Sequence, residues 1–302
     1  MKTLTLSLAL LSFLLVACTA TSNMTQIADL GHESTHAALV KSLRKPGPIH
    51  IEKITVANWQ VPLSGLLNLE HPRAISEGLI DKPEDINLFL YVIKHPNKGT
   101  FLIDSGISER FTDAKNNSDV SFIVKKAMNI SNIEVLKSTR EIVNSIGSIK
   151  GVLLTHIHLD HIMGLLDLHS NVPVYLGPGE AGSKALVHAA TRGSTDRLLS
   201  NTGALHEWQF GAEGVIDIFG DGSLWALHAP GHTPGATAYL AITKTGPELI
   251  IGDASHTRWG WDNQVEPGRY SKDIRQSAQS LAMLAALASE YSEINVHPGH
   301  QP

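Results

Sequence analysis

The sequence predicts a mixed α/β fold in which two β-sheets are covered by helices. Hydrophobic residues make up 42% and charged residues 18% of the 302-residue chain, a composition typical of globular domains. Short runs with the pattern of strands recur along the chain, and segments with helical periodicity lie between them. Because the strands follow one another in meander-like runs, we expect helices outside two sheets rather than a regular βαβ array.

Ten short runs rich in apolar and β-branched residues predict strands. They cover residues 50–56, 87–94, 100–104, 151–155, 172–176, 215–219, 223–228, 237–242, 248–252 and 293–296. Helices are predicted at residues 119–129, 164–169, 179–190 and 271–291. The last is the clearest, with Ser271 as the predicted N-cap and an apolar face that includes Ile274, Leu281 and Leu284.

Residues 62–85 are predicted to form a loop, because they are rich in proline, glycine and charge and show no strong periodicity. A loop of this length inside a compact domain is usually functional or mobile. Its leucines at positions 66, 67 and 69 are candidates for one apolar wall of a substrate pocket. Trp259 and Trp261 are candidates for the opposite wall, with ordinary core or loop packing as the alternative.

The N-terminus has the pattern of an export signal. Met1 and Lys2 give a positive start, and the apolar stretch at residues 4–16 is too short for a permanent membrane span. The sequence Leu-Val-Ala-Cys that ends at Cys18 resembles a bacterial lipoprotein signal, in which the cysteine is lipidated after cleavage. The alternative is an ordinary signal peptide cut near Ala20. Thr19 after the cysteine points, by the same resemblance, to the outer membrane.

We therefore expect three parts along the chain. Residues 1–17 are a lipoprotein signal peptide, residues 18–48 are a tether and N-terminal extension with a polar start at 19–26, and residues 49–302 are one folded domain. The mature protein would be exported and held by a lipid at Cys18, on the periplasmic side of the outer membrane or on the cell surface.

Charge and cysteine content exclude several classes of function. The net charge of −5 argues against a nucleic-acid partner, which requires a basic surface. The single cysteine excludes an internal disulfide and any zinc site built from several thiolates. Sixteen histidines are then the compositional anomaly, and some of them occur at the spacing of metal ligands.

Three of these histidines lie within six residues, directly after the apolar run at 151–154. His156 and His158 occupy alternate positions, so on an extended strand their imidazoles point to the same side. Asp160 and His161 then fall in the turn beyond the strand. Four groups that can bind a metal within six residues predict a metal site, since a solvated polar turn rarely contains three histidines.

This segment resembles the HxHxDH signature of the metallo-β-lactamase superfamily, and further segments resemble the family's other motifs in order. They are Leu102–Gly106, the Gly-His-Thr-Pro-Gly segment around His232, the strand end at Asp253, and the Pro-Gly-His segment that ends at His300. The resemblance extends from about residue 50 to the C-terminus. It implies an αββα sandwich, with two mixed sheets flanked by helices.

The resemblance also implies a centre of two divalent metal ions. The implied ligands are His156, His158 and His232 for one ion, Asp160, His161 and His300 for the other, and Asp253 between them. Imidazole and carboxylate groups suit Zn²⁺ and related divalent ions without a thiolate. His297 is an alternative to His300, although the family motif favours His300, and a structural role is expected for His228.

Within the superfamily, the chain most resembles the quorum-quenching N-acyl-homoserine lactonases. Residues 253–257 read Asp-Ala-Ser-His-Thr, similar to the Asp-Ala-Ser-Tyr-Thr of that group, and a long helix follows. The cysteine-containing β-lactamases need a thiolate in the domain, and other dizinc β-lactamases usually lack an aspartate at position 253. Glyoxalase II carries a helical domain after its last histidine, whereas two residues follow His300 here. RNA-processing members need a basic surface.

The resemblance implies a hydrolase that opens a lactone or an ester, above all an N-acyl-homoserine lactone, by attack of a hydroxide shared between the ions. Two ions about 3.5–4 Å apart can lower the pKa of a shared water molecule towards neutrality, so that it is present as hydroxide. Asp160 would pass a proton to the leaving group, and His256 would donate a hydrogen bond to the oxyanion. The alternative for His256 is an exposed loop imidazole without a role in the reaction. The alternatives are a phosphotriester or phosphodiester hydrolase, a β-lactamase, and a lipoprotein that only binds zinc.

Overall fold

The computed structural model describes residues 19–184 and 186–302, so the predicted signal segment and Cys18 lie outside the described residues. Two mixed β-sheets form the centre of the fold, with eight and six strands among the described residues. Helices flank both sheets, which confirms the predicted αββα arrangement. No helix within these two described ranges combines the length and apolar character needed to cross a membrane.

The first sheet has the strand order β1-β9-β8-β7-β5-β4-β3-β6. Its strands are β1 (Thr25–Ile27), β3 (His50–Pro62), β4 (Pro83–His95), β5 (Gly99–Ile103), β6 (Glu134–Val135), β7 (Gly151–Leu153), β8 (Val174–Leu176) and β9 (Leu205–Glu207). The strands β5, β7, β8, β9 and β1 run parallel, whereas β3, β4 and β6 pair antiparallel.

The second sheet has the order β14-β13-β12-β11-β10-β2. Its strands are β2 (His32–Glu33), β10 (Val215–Asp217), β11 (Leu224–His228), β12 (Thr237–Ile242), β13 (Pro247–Gly252) and β14 (Asn295–Pro298). All neighbours are antiparallel except β13 and β14, which are parallel. The carboxyl ends of β11, β13 and β14 therefore lie at one edge of this sheet.

The described helices lie outside the sheets and in the loops. They are α1 (His36–Leu43), α2 (Leu63–Leu66), α3 (Pro72–Ser76), α4 (Phe122–Ala127), α5 (Thr139–Ile146), α6 (Leu159–Ile162), α7 (Leu186–Leu198), α8 (Arg258–Asn263) and α9 (Ile274–Glu290). Short 3₁₀-helices lie at Glu109–Asp113, Ile130–Asn132 and Leu165–Asp167. A capping box in which the Ser138 and Glu141 side chains each bond the other's backbone begins α5.

The alternation of side chains along β4 explains the layers. Phe89, Tyr91 and Ile93 face the second sheet and belong to the core between the sheets, which also contains Trp208 and Tyr239. Leu88, Leu90 and Val92 face the opposite way, into the core under the outer helices. Each such buried side chain contributes about 1.5–3 kcal/mol relative to an exposed one.

Several predicted boundaries are wrong for identifiable reasons. The strands β3 and β4 extend to Pro62 and from Pro83 because they pair with each other along almost their whole length. The predicted loop 62–85 is consequently shorter, and it contains α2 and α3. The predicted helix 164–169 is a single 3₁₀ turn, and the helix predicted at 179–190 is observed as α7 at Leu186–Leu198.

The helix predicted at 271–291 is confirmed as α9, but its N-cap is Asp273, whose carboxylate accepts from the Gln276 N–H. Its buried face contains Ser277, Ser280, Leu281 and Leu284, whereas Ile274 is 39% exposed. The two serines fit in this buried face because both hydroxyls donate to backbone carbonyls, Ser280 Oγ to Pro230 at 2.6 Å and Ser277 Oγ to Asp273 at 2.9 Å.

The segment expected to be a tether is folded against the domain where the structure describes it. The Ser22 N–H donates to Asp196 at 2.8 Å, and Thr25–Ile27 adds a parallel edge strand beside β9. His32–Glu33 pairs with β10 in the other sheet. Residues 19–33 thus contact both sheets, and they include the stretch 19–26 for which the polar composition predicts a tether.

Candidate metal centre

The predicted ligands come together at the edge where strands of both sheets end. The loops after β7, β11, β13 and β14 contribute them, as expected for a site outside the carboxyl ends of strands. One group contains His156, His158, His232 and Asp253, and the other contains Asp160, His161 and His300. Within each group the candidate ligand atoms all lie within 4.8 Å of one another.

The HxHxDH segment is a loop, not the end of a strand. The strand β7 ends at Leu153, and the Thr155 N–H donates to the Asp104 carboxylate at 2.8 Å instead of to a neighbouring strand. His158 is the N-cap of α6, so Asp160 and His161 lie in its first turn. The loop after β7 therefore brings the His156 and His158 side chains together, and not the alternation of side chains along a strand that was predicted.

The Asp253 carboxylate lies between the two groups. Its Oδ2 is 3.6 Å from His156 Nε2, 3.4 Å from His232 Nε2 and 3.4 Å from His161 Nε2. Its Oδ1 is 3.3 Å from His300 Nε2, which is also 3.3 Å from Asp160 Oδ2. The distances place Asp253 where a bridging ligand is predicted.

The outer ring nitrogens of the histidines are held by hydrogen bonds. His161 Nδ1 donates to Asp104 Oδ2 at 2.8 Å, and His300 Nδ1 donates to the Asn87 carbonyl at 2.9 Å. His232 Nδ1 lies 3.1 Å from Ser271 Oγ. Such outer partners fix the tautomer and orientation of metal-binding imidazoles. The Nε2 atoms of these three rings are thereby directed inward.

The imidazole nitrogens and carboxylate oxygens that point into the cluster are better suited to binding a cation than to hydrogen-bonding one another. Among the described residues, His156 Nε2 and His161 Nε2 are buried and have no hydrogen-bond partner. His232 Nε2 also lies 2.9 Å from His158 Nδ1, so two imidazole nitrogens face each other. Buried polar atoms without partners are costly. Nitrogen and carboxylate donors in this arrangement suit divalent ions such as Zn²⁺.

The electrostatics of the cluster favour the ionisation states that bind metals at His156, His232 and Asp253, whereas they favour the protonated form of His300. Burial, reinforced by the neighbouring imidazoles, holds the pKa of His156 and of His232 well below the usual value, so these rings are neutral. Burial alone would raise the pKa of the Asp253 carboxyl, but the surrounding histidines lower it well below its usual value. Against the effect of burial, the two site carboxylates raise the pKa of His300 to about 10; a metal ion would take the place of that proton.

His256 lies within the cluster, but its contacts differ from those expected. Its side chain is 2% exposed, Nδ1 donates to the Leu66 carbonyl at 2.9 Å, and Nε2 lies 3.1 Å from Asp253 Oδ2. Both ring nitrogens therefore have protein partners, and neither points to a separate substrate position. The contact with Leu66 comes from α2, within the segment predicted as a loop.

The structure separates the other candidates from the cluster. His297 pairs with Glu248 at 2.7 Å, and His228 Nε2 donates to the Pro234 carbonyl at 3.2 Å. Trp261 packs with the outer core of the second sheet. Trp259 packs beside Leu69 in a small apolar cluster under the α2 segment, so the two tryptophans do not form one wall.

Two carboxylates close to the centre have roles that the sequence reasoning did not assign. Asp104 follows β5 directly, with a φ of +55°, and contacts both Thr155 and His161. Glu180 accepts from the Ile157 and Gly235 N–H groups. The position of Asp104 at the end of a strand, in a segment already resembling a family motif, is a signal that was available in the sequence.

Comparison with known families settles the assignment of the fold. Residues 85–300 match the family described as the metallo-beta-lactamase superfamily. The chain belongs to this superfamily. The match includes all four segments that contribute the candidate ligands, from His156 to His300.

Two curated relatives of this superfamily member are N-acyl homoserine lactonases named AttM. The protein from Azorhizobium caulinodans is 30% identical over 158 residues, which cover 51% of this chain and 59% of that protein. The protein from Rhizobium johnstonii is 25% identical over 230 residues, which cover 72% of this chain and 83% of that protein. The chain thus spans about three-fifths of the length of the first of these relatives.

A solved structure with the same fold is that of AidC, described as a dizinc quorum-quenching lactonase in complex with a product. Its TM-score is 0.57 at 13% identity, and the match covers 91% of this chain and 92% of that one. At this identity the likeness establishes the fold.

Proposed function

We propose that this protein is a dinuclear metal-dependent hydrolase that opens the ring of N-acyl homoserine lactones. The observation that carries the proposal is the pair of His/Asp groups that share the Asp253 carboxylate. The lactonases among its relatives support the substrate class. The net charge of −5 supports a small-molecule substrate rather than a nucleic acid.

Two bound divalent ions, with Zn²⁺ as the proposed metal, would supply an activated hydroxide and polarise the substrate carbonyl. His156, His158 and His232 would hold one ion, and Asp160, His161 and His300 the other. The side chain of Asp160 is 12% exposed, against 3% for Asp253. We assign to Asp160, as the more exposed carboxylate, the transfer of a proton to the alkoxide oxygen that ring opening releases, which thereby becomes the hydroxyl group of the product.

Metal removal tests the dependence on the ions. Dialysis of the purified protein against a chelator is expected to abolish lactone hydrolysis, because the substrate carbonyl is then no longer polarised and no hydroxide is activated. Addition of Zn²⁺ should restore activity with two equivalents per chain. The rate is followed on an N-acyl homoserine lactone by the acid released, with metal content measured on the same samples. Full activity of the metal-free protein would refute the proposal.

The same sample should be compared on a panel of an acyl homoserine lactone, an aryl ester, a phosphotriester, a phosphodiester and a β-lactam. We expect the highest kcat/KM on the lactone. A higher value on a phosphoester or a lactam would replace the proposed substrate class while leaving the metal centre in place. Two bound ions without turnover of any of them would indicate a protein that only binds zinc.

We also propose that residues 1–17 direct export and that Cys18 carries the lipid anchor, with the protein on the periplasmic side of the outer membrane or on the cell surface. The positive start, the short apolar stretch and the Leu-Val-Ala-Cys sequence support this. In bacteria that make the full chain, Cys18→Ser is expected to move the protein from the membrane fraction to the soluble exported fraction. An unchanged membrane fraction in that variant would contradict the anchor.

A further inference from the structure

Glu180 is a buried carboxylate that the proposed chemistry does not use. Its relative exposure is 0%, and it lies in the segment between β8 and α7. Its Oε2 accepts from the Ile157 N–H at 3.1 Å, and its Oε1 accepts from the Gly235 N–H at 2.7 Å. The two oxygens of one side chain thus join two loops that are 78 positions apart in the sequence.

Both loops carry candidate ligands of the same ion. Ile157 lies between His156 and His158, and Gly235 ends the segment that contains His232. No other carboxylate among the described residues accepts a hydrogen bond from the backbone of both loops. Glu180 therefore connects the three imidazoles of one group through their own backbone.

The glycines beside Glu180 allow the loops to approach so closely. A Cβ atom at Gly177 would lie 1.8 Å from the Gly235 carbonyl oxygen, and a Cβ atom at Gly235 would lie 2.7 Å from Glu180 Cγ. These distances leave no room for a side chain at either position. The contact between the β8 end and the His232 loop is thus tightly packed, and Glu180 is held inside it.

Burial disfavours a charged carboxylate at this position and raises the pKa of Glu180 to about 7. Glutamine would fill the same volume, but its amide has one carbonyl oxygen and so accepts one of the two N–H groups. Two acceptor oxygens at the correct separation are what glutamate supplies and glutamine does not. A glutamate at position 180 can therefore accept from the Ile157 and Gly235 N–H groups at the same time.

We propose that Glu180 is a positioning residue that sets the geometry of His156, His158 and His232 and thereby the affinity of that half of the metal centre. The proposal rests on the proposed dinuclear site. In this proposal Glu180 does not contact the substrate. The ion held by Asp160, His161 and His300 does not depend on Glu180, because Asp104 orients His161 and the Asn87 carbonyl orients His300.

The test is a competitive titration of the full metal-free protein with Zn²⁺, together with the absorption spectrum of the Co²⁺-loaded form. In Glu180→Gln we expect one of the two ions to bind about 10–100-fold more weakly, the usual cost of losing an outer partner of a ligand. The second ion should keep its affinity. Glu180→Ala should weaken the same ion further, because it removes both acceptors, and Glu180→Gln covers the case in which alanine does not fold.

Asp167→Asn is the matched control. Asp167 is 2% exposed and accepts from the Glu109 and Arg140 N–H groups, so it also joins two segments, but it contacts none of the candidate ligands. This variant should lower the melting temperature and leave both Zn²⁺ affinities unchanged. Unchanged Zn²⁺ affinities in Glu180→Gln, or equal weakening of both ions, would overturn the proposal. If the wild-type protein binds no Zn²⁺, the proposed function fails first, which is a separate outcome.

Discussion

Replacing Asp253 with alanine is expected to remove both metal ions and to lower kcat/KM on a lactone by at least about 100-fold. The loss of an outer partner of a metal ligand already costs about 10–100-fold, and Asp253 lies at the centre itself. Its two oxygens are within 3.6 Å of the Nε2 atoms of His156, His161, His232 and His300. Metal content and rate are to be measured on the same purified sample.

His297→Ala is the control for this variant. His297 lies three residues before His300 and pairs with Glu248 instead of with the cluster. The control should retain both ions and full turnover. An Asp253→Ala protein that is free of metal and fully active would show that the reaction does not depend on this centre.

Replacing Asp104 with alanine is expected to lower the free energy of unfolding by about 3–5 kcal/mol, the usual cost of removing one member of a buried pair. Asp104 is 5% exposed, and its carboxylate accepts from His161 Nδ1, from the Thr155 N–H and from the Thr155 hydroxyl. The variant should also bind the ion held by His161 more weakly, because the ring loses its fixed orientation. Chemical denaturation and Zn²⁺ titration measure the two effects.

Asp104→Asn separates the two consequences. Asparagine tolerates the left-handed backbone of this position, where φ is +55°, better than alanine does. Its carbonyl can still accept from the Thr155 N–H, so much of the stability should return. The amide carries no charge to polarise the His161 ring, and the weaker Zn²⁺ binding should persist. Wild-type affinity for both ions in Asp104→Asn would contradict this role of the carboxylate.

The layers of the fold and the identity of the clustered ligands were predictable because both depend on local sequence. The continuous apolar run at residues 88–93 indicates a strand buried on both faces, and the dense segment from His156 to His161 identifies the metal site. The choice between His297 and His300 came from the family motif, and the structure places His300 in the cluster.

The remaining features depend on contacts between distant parts of the chain. Strands β1, β2, β6 and β9 were not predicted, because they contain two or three residues each and, unlike the equally short β7, β8 and β10, do not lie in a recognisable apolar run. Glu180 is separated by 23 and 55 residues from Ile157 and Gly235, whose N–H groups it accepts from. The sequence around Glu180 therefore does not indicate that it connects these two loops. His256 was expected to face a substrate, but the Leu66 carbonyl of α2 holds its ring in the cluster.

The metal centre also lies across the seam between the sheets. His156, His158, Asp160 and His161 follow a strand of the first sheet, whereas His232, Asp253 and His300 follow strands of the second. Bound ions would therefore link the two sheets, in addition to the apolar core that is buried between them. A ligand that binds only the folded chain stabilises it by about 2.7 kcal/mol at a concentration 100 times its Kd. The free energy of unfolding would therefore rise with the concentration of free metal, because unfolding that separates the two sheets would also release the ions.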